Sequence, residues 1–332
     1  MRARLSGMTG DRRPARSGAS GGLSRAAFLR LIAAGGAAAL AGVPMGGAPA
    51  RAATPAGRMI TRTIPSTGET LPVIGVGTWQ TFDVGADAAA RAPLRQVLQI
   101  LFEAGGSVID SSPMYGPAEG VAGDLLAEMG ARNRAFIATK VWTTGREAGI
   151  QQMRESMRRF RTNRIDLMQV HNLVDWRTQL ATLRAWKDEG TLRYIGVTHY
   201  TDSALPAVAD IIAREKIDFV QLSYSLDDRA AEDRVLPLCA ERGVGVIANQ
   251  PFGSGGMFRR TRGKALPAWA ADFDCRSWAQ FFLKYLVGHP ALTCAIPGTG
   301  RPEHMTDNVQ GGIGRLPDAK QRRQMAAFWD AL

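Results

Sequence analysis

No G-x-G-x-x-G fingerprint follows an apolar β-branched run in these 332 residues, so a dinucleotide bound as in a doubly wound sheet is excluded. Any cofactor site has to be built from late-strand loops. Cysteine is scarce: Cys239, Cys275 and Cys294 show no C-x-x-C spacing, and no metal site follows. The odd number leaves at least one thiol free, and Cys294, inside the apolar run 292–296, reads as buried packing. A membrane-spanning run is missing too, since the Ala- and Gly-rich stretch 31–43 falls short of the ~20 apolar residues a helix needs to cross a bilayer. The formal charge of +11 is mostly local: residues 1–52 hold eight arginines, no lysine and one acid, which is +7 and leaves +4 for the body. With no aromatic or groove-reading motif beside it, that excess supports no nucleic-acid partner.

What is present is a globular composition, 45% hydrophobic and 21% charged, enough to bury a full core. Eight apolar runs, at 73–77, 107–111, 135–140, 165–171, 194–198, 219–223, 244–249 and 292–297, alternate with helical patterns at 94–104, 149–160, 178–189, 205–215, 230–242 and 278–287. Eight strands with intervening helices predict an α/β fold, a single-domain (β/α)8 TIM barrel over 53–332, with 60–68 as an N-terminal hairpin plug. Polar residues fall where such a barrel needs them. Asp110, Lys140, His171, Thr198 with His199, Ser223 and Asn249 all stand at or just past the C-terminal end of an apolar run, the end where barrel active sites are built.

The segment Val108-Ile-Asp-Ser-Ser-Pro-Met-Tyr-Gly116, then Glu119, Gly123 and Leu126, then Ala138-Thr-Lys140 and Val170-His-Asn172, resembles the aldo-keto reductase superfamily across 59–332. That resemblance implies hydride transfer between NADP(H), with NAD(H) as the rival, and an aldehyde or ketone. Tyr115 would be the general acid, Lys140 the cation that lowers its pKa from about 10, Asp110 the anchor of Lys140, and His171 the donor that orients the carbonyl. Gly77, Thr78 and Trp79 would face the cofactor, with Trp79, Trp142 and Asn172 lining the substrate pocket. Thr198-His199 stands where the family commonly has Ser-Asn on the carboxamide, beside Gln221. Asn249 stands where many members stack a tyrosine on the nicotinamide, a role left to Phe252. The loop with Pro251, Phe252, Gly253 and Gly255 resembles the pyrophosphate loop. Pro297, Gly298, Thr299, Arg301, His304 and Asn308 resemble the adenosine site, with Arg301 the remaining cation for a 2′-phosphate. A cofactor-binding sensor barrel with little turnover is the second reading, motivated by His199 and Asn249.

Residues 1–52 have the parts of an export leader, ending in Ala50-Arg51-Ala52. Ser24-Arg25-Ala26-Ala27-Phe28-Leu29-Arg30 resembles the twin-arginine signature with Ala26 in place of the second arginine. A cofactor made in the cytoplasm favours export of an already folded protein through the twin-arginine machinery, giving a periplasmic or secreted monomer after cleavage. An uncleaved leader would instead anchor the protein, and a start near Met59 would leave it cytoplasmic.

Overall fold

The computed structural model describes residues 57–332; the leader expected over 1–52 and its junction at residue 53 lie outside the described residues. The expected hairpin is longer than 60–68. Strand β1 (Thr61–Thr63) pairs antiparallel with β2 (Thr70–Pro72), Thr61 opposite Pro72. Eight parallel strands follow, β3 (Val76–Gly77), β4 (Val108–Asp110), β5 (Phe136–Val141), β6 (Ile165–His171), β7 (Leu192–His199), β8 (Phe219–Ser223), β9 (Gly245–Asn249) and β10 (Cys294–Ala295), each beside its sequence neighbour. Single bridges from Ile74 to Ala295 and from Gly77 to Gly298 close β10 back onto β3, which completes the (β/α)8 barrel. A Cβ on Gly77 would come 3.0 Å from Ile296 O, so a side chain at that position would crowd the seam.

Because side chains alternate along a strand, each run presents one set inward and one outward. Outward residues such as Ile109, Ile137, Met168, Val197 and Val220 join the large cluster under the helices. Inward residues Val108, Phe136, Leu167, Tyr194, Phe219, Ile247 and Cys294 fill the lower barrel, and Ile64 and Leu71 of the hairpin pack into the same cluster. The plug is therefore an apolar floor, tied further by Thr67 Oγ1 lying 2.9 Å from Tyr194 OH. Each such fully buried aliphatic or aromatic residue contributes about 1.5–3 kcal/mol. Further along the strands several inward positions turn polar: Asp110, Gln169, Gln221 and Asn249 two residues on, and Lys140 and Thr198 four residues on.

The helices are α1 (Ala88–Glu103), α2 (Ala118–Glu128), α3 (Arg146–Arg159), α4 (Trp176–Asp188), α5 (Leu205–Arg214), α6 (Val235–Arg242), α7 (Gly256–Arg260), α8 (Trp278–Val287), α9 (Pro302–Gln310) and α10 (Ala319–Asp330). Caps set several starts: Asp87 accepts from Ala89 and Ala90 N–H at 3.2 Å, and Asp318 and Gln321 form a reciprocal capping box. The pattern over 230–242 divides into a short 3-10 turn, Ala230–Glu232, and α6. All three cysteines are buried and unpaired, and burial pushes the Cys239 and Cys275 thiols up to about 12. Among the described residues no helix is long and apolar enough to cross a membrane, and no cluster of metal-ligating side chains forms.

Candidate active site

Three strand ends build one half of the barrel mouth. Strand β4 ends on Asp110, and the chain passes through Ser111 and Ser112 into a turn where Tyr115 N–H donates to Ser112 O at 3.0 Å. Lys140, next to last in β5, points inward. Its ammonium donates to both Asp110 oxygens at 2.8 and 2.9 Å and to Ser111 O at 2.6 Å. The pair is buried, with Asp110 2% and Lys140 0% exposed, so all three ammonium N–H bonds are satisfied in a region water does not reach. Gln221 Nε2 adds a bond to Asp110 Oδ1 at 3.3 Å, and its Oε1 accepts from Gln169 Nε2 at 2.8 Å. Burial raises the Asp110 carboxyl above its ordinary value, against the downward pull of Lys140.

Tyr115 is half-buried over this pair, with Lys140 Nζ 5.4 Å from its ring centroid. At the hydroxyl the acidification expected from Lys140 is outweighed. Burial, then the negative charge of Asp110, hold Tyr115 above the ordinary phenol range. The physical reason is that the ammonium lies against the ring and its protons are directed to Asp110 and Ser111. His171 closes β6, edge-on to Tyr115 at 6.0 Å between centroids and 6.4 Å from Trp142. Burial, followed by the charges of Lys140 and His199, drives its imidazole down to about 3, so the ring is neutral. Asp110, Tyr115, Lys140 and His171 thus come together at one mouth.

The residues of the other half are placed less uniformly. Thr198 is buried between His171 and Gln221 in the strand register. His199 Nδ1 accepts from Thr201 N–H at 3.2 Å, and its ring stacks on Tyr200 at 5.7 Å. Asn249 Oδ1 accepts from Ser223 Oγ at 3.2 Å. Phe252 is half-buried. It packs on Phe258 at 4.9 Å and Phe282 at 6.4 Å. Gln250, Gly253, Ser254 and Gly255 all have positive φ, so the loop after β9, with Pro251 buried at its base, coils in the left-handed region. Gly298 is exposed beside Gly77 and Trp79, Pro297 and Thr299 are buried, and Thr299 Oγ1 accepts from Arg301 N–H at 3.0 Å. The Arg301 guanidinium is paired with Glu303, Nε to Oε1 2.7 Å. His304 is exposed, and Asn308 is buried on α9. Thr78 is fully buried behind the mouth and donates to Ser111 Oγ at 2.9 Å. Trp79 and Trp142 stand exposed at the rim, and Asn172, at φ 51, keeps a buried Oδ1 without a partner.

Three residues to which the sequence pattern gave no role hold the site together: Ser111, Ser112 and Gln169. Gln169 alone carried a signal, a polar residue in the middle of the apolar run 165–171.

The half-buried Tyr115 ring, the buried Lys140–Asp110 pair beneath it and the neutral His171 beside it thus share the C-terminal mouth of a parallel barrel. The chain belongs to the aldo/keto reductase family, whose model matches residues 73–326. It is 28% identical over 247 residues to methylglyoxal reductase YeaE of Escherichia coli, covering 72% of this chain and 85% of that one. In structure it is similar to an aldo-keto reductase from Klebsiella pneumoniae in complex with NADPH, with a TM-score of 0.69, 25% identity and coverage of 82% of this chain and 96% of that one. A Klebsiella pneumoniae aldo/keto reductase in complex with NADP and acetate matches with a TM-score of 0.66 at 25% identity, covering 79% and 93%.

Proposed function

We propose that the protein reduces small-molecule aldehydes or ketones with NADPH, Tyr115 being the proton donor. The observation that carries this reading is the Lys140–Asp110 pair, buried beneath the Tyr115 ring and beside a neutral His171. The NADPH and NADP complexes of the Klebsiella pneumoniae proteins support the cofactor. The residues present fit it. The left-handed loop after β9 lies at the mouth, Asn172 Oδ1 is an acceptor without a partner, and α9 begins beside Thr299 and Arg301 with no side-chain cap from its N-cap residue.

When bound, NADPH supplies the hydride. This chain's residues then manage charge and proton. Because burial keeps the Tyr115 hydroxyl protonated, it enters the reaction as a donor, and its proton passes to the carbonyl oxygen as negative charge develops there. The phenolate left behind is stabilised by the Lys140 ammonium, which Asp110 holds in place. His171, neutral, donates one N–H to the same oxygen and fixes its angle.

Mixing NADPH-loaded protein with a panel of reactive aldehydes and following cofactor oxidation tests the reading. Oxidation supports it. Tight binding without oxidation across the panel establishes a sensor barrel instead, the reading favoured by His199 and Asn249 being engaged with their own neighbours. Parallel runs with NADH measure the preference at the adenosine end, where Arg301 is occupied by Glu303. We further infer that residues 1–52 direct export through the twin-arginine machinery and that the cleaved product is a monomer. N-terminal sequencing and the solution mass of the exported protein check both.

A further inference from the structure

Ser112 touches two of the four residues at the mouth. Its carbonyl accepts from Tyr115 N–H at 3.0 Å, and its hydroxyl lies 3.1 Å from His171 Nδ1. The hydroxyl is fully buried, and its one other neighbour within hydrogen-bond reach among the described residues is Met114 N–H, at 3.5 Å, which can only donate. Two hydrogen placements are open. If Nδ1 carried the imidazole proton, Ser112 Oγ would face two donors and its own proton would be buried without an acceptor, a cost of one unmade hydrogen bond. If Ser112 donates to Nδ1, its hydroxyl proton and Nδ1 are both satisfied, Oγ still accepts from Met114 N–H, and the imidazole proton sits on Nε2. The ring is neutral, so it has one proton to place, and the partner of one nitrogen decides which nitrogen holds it.

We propose that Ser112 is a positioning residue that sets the tautomer of His171, its hydroxyl donating to Nδ1 so that Nε2–H is the donor offered to the substrate. This rests on the reductase reading, in which His171 serves the carbonyl oxygen. Without Ser112 a fraction of the rings would carry the proton on Nδ1 and present a lone pair to an oxygen already gaining negative charge.

The test reads the tautomer directly. The chain has four histidines, so nitrogen NMR of histidine-labelled full-length protein, with His171→Gln to assign the signal, resolves the two nitrogens. Wild-type protein near neutral pH is expected to show Nε2 protonated and Nδ1 as acceptor. Ser112→Ala is expected to show a mixture and a fall in kcat of about tenfold, the worth of one hydrogen bond, with KM for NADPH unchanged. Ser112→Thr, which keeps the hydroxyl, is expected to restore both. A wild-type Nδ1–H signal, or the same tautomer in wild type and Ser112→Ala, overturns the proposal. The expected NMR series in a protein that oxidises no NADPH would uphold the tautomer lock and bring down the reductase reading alone.

Discussion

The two halves of the barrel mouth are built on different terms. On the β4 to β6 side, Asp110, Lys140, His171 and the Ser111–Ser112 corner are buried and bonded to one another across three strands. On the β7 to β10 side, His199, Asn249 and Arg301 are partly or fully open, and each is bonded to an adjacent side chain or amide outside the Asp110–Lys140 group, namely Thr201, Ser223 and Glu303. The first half fixes charges before any ligand arrives. In the proposed reading the second would leave recognition of the cofactor to backbone, helix terminus and loop shape.

Four measurements would break or sharpen that contrast. Tyr115→Phe removes the acid and leaves the packing, so kcat should fall by about a thousandfold with NADPH affinity intact; retained turnover would remove the chemical distinction of the first half. Lys140→Met strands the Asp110 charge in the interior and should cost about 3–5 kcal/mol in urea unfolding, most of it recovered in the double variant Lys140→Met, Asp110→Leu. The pH dependence of stability comes next. His171 has a folded pKa of about 3 against an ordinary 6.5, so between those values the unfolded chain binds the extra proton and stability declines as pH falls through that window. The raised Asp110 carboxyl acts with the opposite sign, which makes the difference between wild type and His171→Gln the quantity to measure; its slope should reach at most about 1.4 kcal/mol per pH unit. Smallest is Glu303→Ala, which frees an exposed Arg301 and should improve NADPH over NADH by no more than about fivefold in the ratio of Kd values.

The fold was legible because its signal is local. Each apolar run carries its own period, and six of the eight carry a polar residue at or just past the end, so the runs and their orientation could be read without knowing what lay beside them. Asp110, Lys140 and His171 were legible for the same reason, each at or near the end of one run, whereas Tyr115 was singled out through the resemblance carried by residues 108–116. What escaped was what depends on neighbours across strands. Ser112 meets His171 across 59 residues and Gln169 meets Gln221 across 52, and nothing in either local sequence marks the encounter. Helix α2 stood outside the named periodic stretches because it is buried on several sides and Ala- and Gly-rich, so its stripe is weak. Phe252 looked free to replace a stacking aromatic, and only the packing of α7 and α8 shows where its ring is held.

The ammonium of Lys140 has a chemical consequence outside the reduction itself. Aldehydes condense with free amines to form imines, and a lysine in an aldehyde-binding cavity is an obvious victim. Here all three N–H bonds are directed at Asp110 and Ser111, so the nitrogen offers no lone pair and no open face to an electrophile. In an enzyme that takes up aldehydes, the anchoring that places the positive charge would thus also shield the amine from covalent capture.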